Sequence, residues 1–151
     1  MNAGQMCQRN AVTVLRADEI TTAARLMREK HVGFLVVVEP AAQAGAVVPI
    51  GVITDRDIVV STVALGVDPK ALAVGDVMTR KPTVALAQDS IADAISQMRH
   101  RGVRRLPVVG DYGHFIGVLS LDDVLANSAN ELGAAAAAMT KARQTDAATR
   151  S

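Results

Sequence analysis

The sequence predicts an α+β fold, close to α/β in its alternation of elements, built from one supersecondary unit present twice. Two observations carry this. Gly51-Val52-Ile53-Thr54-Asp55-Arg56-Asp57-Ile58 returns as Gly117-Val118-Leu119-Ser120-Leu121-Asp122-Asp123-Val124. Upstream, Asp18-Glu19-Ile20 with Ala23, Met27 and Val32 returns as Asp89-Ser90-Ile91 with Ala94, Met98 and Val103, at a constant step of 71 residues (27 to 98). A unit repeated in this way usually cannot bury its apolar face alone. The two copies are therefore expected to share one core, with quasi-equivalent clefts between them.

In the first copy, Val12 to Leu15 reads as a short strand. Asp18 is a candidate helix N-cap, followed by Ile20, Ala23, Ala24 and Met27 at helical spacing. Arg28 and Lys30 suit the C-terminal end of the helix dipole, and Gly33 is expected to end the helix. Phe34 to Val38 is a β-rich apolar run, Val47 to Ile53 the next strand, and a helix starts near Asp55. The second copy repeats this order: Thr83 to Leu86, a helix from Ser90 to Arg101, strands Leu106 to Val109 and Phe115 to Leu119, then a helix. The step falls from 71 to 66 (51 to 117) because the Ala-rich connection Glu39 to Val48 outlasts the compact Gly110-Asp111-Tyr112-Gly113. Surface loops accept such length differences cheaply. The expected division is a first repeat over 7–65, a linker over 66–79 holding a short helical turn, and a second repeat over 80–138. A C-terminal tail over 139–151 is expected to fray from about Thr145.

Half of the 151 residues are hydrophobic and the formal charge is +1, which marks a chain that folds around a core. The near-neutral charge and 2% aromatic content argue against nucleic acid and anionic membranes as partners. Cys7 is the single cysteine, so no internal disulfide forms. Residues 1–11 hold no secretory apolar run, and no stretch approaches the roughly 20 apolar residues of a membrane helix, so a cytoplasmic location is expected.

The chemistry gathers where the repeated motif turns from strand to helix. Thr54 with Asp57, and Ser120 with Asp123, place a hydroxyl and a carboxylate three residues apart. One such pair alone is most simply a capping box. Two pairs at matching places also fit ligand binding, since a carboxylate there can accept hydrogen bonds from the vicinal hydroxyls of a ribose. Arg104 and Arg105 stand just before Leu106-Pro107-Val108-Val109, where their guanidinium forks would suit a phosphate. The first copy has Gly33-Phe34 there and no cation, so the two clefts are expected to differ chemically. Asp55 with Asp57 and Asp122 with Asp123 do not share a helix face, which argues against a metal site. His31, His100 and His114 read as surface residues. No nucleophile–base–orienter set and no glycine-rich phosphate loop is present, so no catalytic residue and no catalytic cofactor is expected.

The repeated Gly-Val-Ile-Thr-Asp-Arg-Asp-Ile and Gly-Val-Leu-Ser-Leu-Asp-Asp-Val, the segment Val74-Gly75-Asp76-Val77-Met78-Thr79, and Gly102-Val103-Arg104-Arg105-Leu106-Pro107-Val108-Val109 together resemble a tandem pair of cystathionine-β-synthase-type (CBS) domains. The resemblance covers roughly residues 7–126 and is closest to free-standing bacterial CBS-pair proteins. It implies β-α-β-β-α units packed sheet to sheet about a pseudo-twofold axis. It also implies a non-enzymatic regulatory module binding adenosine-containing ligands: AMP, ADP, ATP, and in some members NAD or S-adenosylmethionine. Carried over, one site uses Ser120, Asp123, Arg104 and Arg105, with Val12, Val32, Gly33 and Phe34 around the base. The other uses Thr54 and Asp57, with Pro82, Thr83 and Val103 around the base and Arg56 as a candidate phosphate partner. Asp123 is expected to serve the stronger phosphate-bearing site, because the Thr54–Asp57 cleft lacks a matching cation. The alternative is a protein–protein adaptor with empty clefts. A homodimer is expected, because the stripes Ile20, Ala23, Ala24, Met27 and Ala94, Ile95, Met98 look too broad for one sheet to cover. A regulated partner protein is a further candidate.

Overall fold

The computed structural model describes residues 1–150; Ser151, the last residue of the expected tail, lies outside the described residues. The chain opens with a helical turn, α1 (Ala3–Met6), then β1 (Thr13–Leu15), α2 (Ile20–Lys30), β2 (Phe34–Pro40), β3 (Val47–Thr54) and α3 (Asp55–Ser61). A second helical turn, α4 (Val74–Val77), leads to β4 (Thr79–Arg80), β5 (Ala85–Leu86), α5 (Ile91–Arg101), β6 (Arg105–Val109), β7 (Phe115–Ser120) and the long α6 (Leu121–Arg150). One sheet has the order β1-β2-β3-β4, the other β5-β6-β7. In each, a parallel pair is followed by an antiparallel hairpin, β1 with β2 and β3, β5 with β6 and β7. The registers match as well. Phe34 faces Thr54 and Arg105 faces Ser120, and the hairpins slip at Val37/Val38 and at Val108/Val109.

The apolar run of β2 explains how the sheets meet. Successive side chains point to opposite faces of a strand. Leu35 and Val37 pack with Ile20, Ala23 and Met27 of α2 in one core. Val36 and Val38 face the other way and pack with Val118 of β7, with Phe34, Val47 and Phe115 alongside. The second repeat builds its own core from Ala94, Met98, Leu106, Val108 and Leu119. Thus β2 is buried on both faces, one by its own helix and one by the partner repeat.

The structure extends the repeat beyond what the motifs showed. α1 and α4 stand 71 residues apart (3 to 74), and each packs against the other repeat. Ala3 and Cys7 belong to the core of the second repeat, Val74 and Met78 to that of the first. Their anchoring hydrogen bonds are equivalent: Gly4 N donates to Ala87 O and Gly75 N to Arg16 O, both at 2.9 Å. Residues 74–78, expected within a linker, are therefore part of a packed core. The motif glycines Gly51 and Gly117 lie where these exchanged segments cross. A Cβ on Gly51 would stand 2.6 Å from Met78 Sδ and 2.9 Å from Thr79 O, and one on Gly117 2.5 Å from Gln8 O. Burial pushes the Cys7 thiol pKa up, so this side chain stays protonated and inert at neutral pH.

Four local expectations are corrected. Glu19, not Asp18, is the N-cap of α2; the Asp18 carboxylate instead accepts from Leu15 N at 2.8 Å, closing the turn ahead of the helix. α2 ends at His31 in the left-handed region (φ 55), where the second repeat has Gly102 (φ 66), so Gly33 is not the terminator. The tail does not fray at Thr145, because α6 continues to Arg150. The stripes expected to need a partner are largely covered at home: Ile20, Ala23, Met27, Ala94 and Met98 are buried, while Ala24 and Ile95 are exposed. Exposed apolar side chains lie instead on Val59, Val60, Val63 and Leu65, and on α6. No helix among the described residues is long and apolar enough to cross a membrane.

Gly117→Ala is expected to lower unfolding free energy by about 1–3 kcal/mol, the range for overpacking a close contact. Gly51→Ala should cost less, because its backbone contact, Thr79 O at 2.9 Å, is longer than that of Gly117 with Gln8 O at 2.5 Å, and its nearest neighbour is a side chain. Urea denaturation checks both; wild-type stability for Gly117→Ala would mean that the Gln8 segment can step aside.

Candidate functional site

Two clefts open along the seam between the repeats, related by the same pseudo-twofold axis. The larger, about 430 Å³, is lined by Thr54 and Asp57 of the first repeat and by Pro82, Thr83, Val103 and Arg104 of the second, with Lys81 and Arg101 beside them. The smaller, about 290 Å³, is lined by Ser120 and Asp123 of the second repeat and by Val12, Val32, Gly33 and Phe34 of the first, with Gln8 and His31. Phe34 and Arg105 line both. These two occupy equivalent positions in the repeats and meet at the axis, the Arg105 guanidinium 5.8 Å from the centre of the Phe34 ring. That cation–π contact forms the wall the clefts share.

The hydroxyl–carboxylate pairs differ in what they already hold. Thr54 Oγ1 accepts from Asp57 N at 3.1 Å, and Asp57 Oδ2 accepts from Thr54 N at 2.9 Å, a complete capping box. Ser120 Oγ accepts from Asp123 N at 3.1 Å, while Asp123 Oδ1 accepts a long 3.4 Å bond from the Gln8 side-chain amide. Each cleft therefore presents one carboxylate at the start of a helix, facing an apolar slot from the other repeat. The apolar slot suits a flat heteroaromatic ring and the carboxylate suits a diol.

Of the residues expected in the Ser120–Asp123 site, seven line its cleft and Arg104 does not. Arg104 lines the opposite cleft, the one that holds Asp57. The reason is the step of 71: Arg104 is the counterpart of Gly33, and each faces the carboxylate of the other repeat. A Cβ on Gly33 would stand 2.7 Å from Asp55 Oδ2, so a side chain there would require the Asp55 carboxylate to turn aside. The equivalent neighbour of Arg104 is Leu121, whose N–H donates to Arg104 O at 2.8 Å as Asp55 N does to Gly33 O at 3.0 Å.

The expectation that the Thr54–Asp57 cleft lacks a cation is therefore overturned. Lys81, Arg101, Arg104 and Arg105 line this cleft together with a single carboxylate, Asp57. The smaller cleft has Arg105 and His31 against Asp123. Thr54, Asp57, Pro82, Thr83 and Val103 come together as expected, but Arg56 lines neither cleft, being one residue from Asp57 on α3 and so on another face. Lys81 and Gln8 were not anticipated. The signal for Lys81 was its place beside Pro82 and Thr83; that for Gln8 was the same step of 71, which pairs it with Thr79 at the mouth of the larger cleft. Lys81 also holds a left-handed backbone (φ 49), a conformation that is costly for a residue with a Cβ and that clusters at functional sites. Among the described residues no group of three or more His, Cys, Asp or Glu is placed to hold a metal ion.

Comparison with known proteins follows the same lines. The CBS domain family matches residues 3–62 and 74–130, two tandem copies whose starts coincide with α1 and α4. An uncharacterized protein of Methanopyrus kandleri is 31% identical over 126 residues, 83% of this chain; the chain spans 61% of that protein's length. The CBS domain-containing protein YhcV of Bacillus subtilis is 33% identical over 125 residues, covering 83% of this chain and 84% of its own. Among solved structures, CBSX2 in complex with AMP is 26% identical and superposes with a TM-score of 0.69, over 85% of this chain and 96% of that one. With two matched copies, matching registers and a pseudo-twofold seam, the chain belongs to the CBS domain family as a tandem CBS pair.

Proposed function

We propose that this CBS pair is a non-enzymatic regulatory module that binds adenine nucleotides between its repeats, the larger cleft taking the phosphate-bearing ligand. One observation carries the reading: Lys81, Arg101, Arg104 and Arg105 converge on the cleft that also holds Thr54, Asp57 and an apolar slot. The similarity to CBSX2, a protein crystallised with AMP, supports adenosine as the nucleoside. In this arrangement Asp57 accepts hydrogen bonds from the ribose hydroxyls, Thr83 and Val103 flank the base, and the guanidinium groups take the phosphates. A volume of about 430 Å³ lies within the usual range for small-molecule sites, and 290 Å³ falls just below it. The smaller cleft, with a single guanidinium and an amide already on Asp123, suits an uncharged adenosine compound such as a nucleoside.

Ligand state is transmitted, in this reading, through a second copy of the chain or a regulated partner protein, within the cytoplasm. The larger cleft lies on the seam between the repeats, so occupancy acts directly on their relative placement. No catalytic role is assigned to any residue.

A nucleotide present at about 100 times its Kd is expected to add about 2.7 kcal/mol to folding stability. Thermal melts with AMP, ADP, ATP, NAD and S-adenosylmethionine check this, and no shift with any of them would favour an adaptor with empty clefts. In calorimetry, Arg104→Ala is expected to weaken ATP and ADP binding by tenfold or more while changing adenosine binding little, as a lost charge-assisted bond is worth about 1.5–3 kcal/mol. Asp57→Ala should weaken both, and should also cost about 1 kcal/mol of ligand-free stability through its capping box. Wild-type ATP affinity in Arg104→Ala, with loss in Asp123→Ala, would assign the phosphates to the other cleft.

A further inference from the structure

The long helix α6 plays no part in either cleft beyond Asp123. Its 30 residues span about 45 Å. Val124 is buried on the body, and from Leu125 to Arg150 every residue except the half-buried Asn127 is exposed. Three large apolar side chains remain on this exposed length: Leu125 (61% exposed), Leu132 (72%) and Met139 (58%). They recur every seven residues and so lie on one face, the spacing of a coiled-coil seam. Ala135, Ala136 and Ser128 fill the positions between them. Side chains this small let two helix axes approach to the short end of the 8–10 Å packing range.

Charge along α6 is polarised. Residues 121–135 carry Asp122, Asp123 and Glu131 and no basic residue; residues 136–150 carry Lys141, Arg143 and Arg150 against Asp146. A helix dipole favours this polarity only within the first and last turns. Glu131, Lys141 and Arg143 lie farther in, so the dipole does not account for them. The pattern is self-complementary when two copies run antiparallel, and self-repelling when they run parallel.

We propose that α6 is a self-association arm, pairing antiparallel with α6 of a second copy about a twofold axis near Ala135–Ala136. Leu132 of one copy then packs against Met139 of the other, and the acidic half of each helix lies along the basic half of its partner. This rests on the reading of the protein as a dimer and is independent of the nucleotide reading.

The test uses the full chain. Light scattering at micromolar concentration should give a dimer. The variant Leu132→Glu with Met139→Glu should raise the dimer dissociation constant by tenfold or more, while Val63→Glu, on the other exposed apolar patch, leaves it unchanged. Both altered α6 positions are solvent-exposed, and circular dichroism confirms that the fold persists. Orientation is read by mild oxidation: Ala136→Cys should cross-link to itself, whereas Leu125→Cys should not, its partner copy lying about 30 Å away along the helix. A wild-type monomer overturns both the arm and the dimer. A dimer that survives the double variant but dissociates in Val63→Glu overturns the arm alone. Cross-linking by Leu125→Cys overturns the antiparallel arrangement.

Discussion

The strand β2 must bury both of its faces, and the rest of the molecule follows from that requirement. Leu35 and Val37 are satisfied by α2 of the same repeat, but Val36 and Val38 are buried in a cluster completed by Val118 and Phe115 of the other repeat. Burial of each such side chain contributes about 1.5–3 kcal/mol, so a single repeat would expose a strip of apolar surface at substantial cost. Closing the two sheets over one another also fixes where the clefts lie. At the starts of β2 and β6, Phe34 and Arg105 come together, and the space on either side of them is bounded by a strand-to-helix turn of one repeat and a strand start of the other. The clefts are thus a by-product of the packing, and the chemistry in each depends on which residues the axis brings across.

This explains what could be read in the sequence and what could not. The fold class, the hairpins and their helices were legible because the motif beginning at Gly51 recurs at Gly117 with the same apolar alternation. Most cleft residues were legible for the same reason. Arg104 was misplaced because chain neighbours suggest one cleft while the twofold axis dictates the other. Val103 and Val32 were assigned by symmetry, and applying the same symmetry to Gly33 and Arg104 would have moved the cation to its observed place. The turn α1, and its equivalence to the helical turn expected in the linker, were missed for a different reason. Four residues hold too little periodicity to stand out, and Ala3-Gly4 and Val74-Gly75 share only a glycine and a small or β-branched neighbour. Their equivalence shows in their hydrogen bonds to Ala87 and Arg16, which are tertiary.

The two clefts also show how sequence drift breaks a symmetric scaffold with little disturbance to it. Asp55 and Leu121 occupy equivalent positions after β3 and β7. The carboxylate of the first sits against Gly33; beside the second stands Arg104. Arg104, with Lys81 and Arg101, separates a cation-rich cleft from one with a single guanidinium, while the hairpin registers and their bulges remain in common.

The exchange of α1 and α4 has a consequence for how the chain reaches this state. Residues 2–8 are synthesised well before the residues that cover them: Ala3 and Cys7 bury against Ala85, Ala94 and Leu119, which are made some eighty or more residues later. The first repeat can complete its core as soon as Val74 and Met78 emerge, but its leading segment must wait, unpartnered, for the second repeat to form. Closing that longest loop is the step with the greatest entropic demand, so the second repeat should be the last part of the protein to become resistant to proteolysis during synthesis.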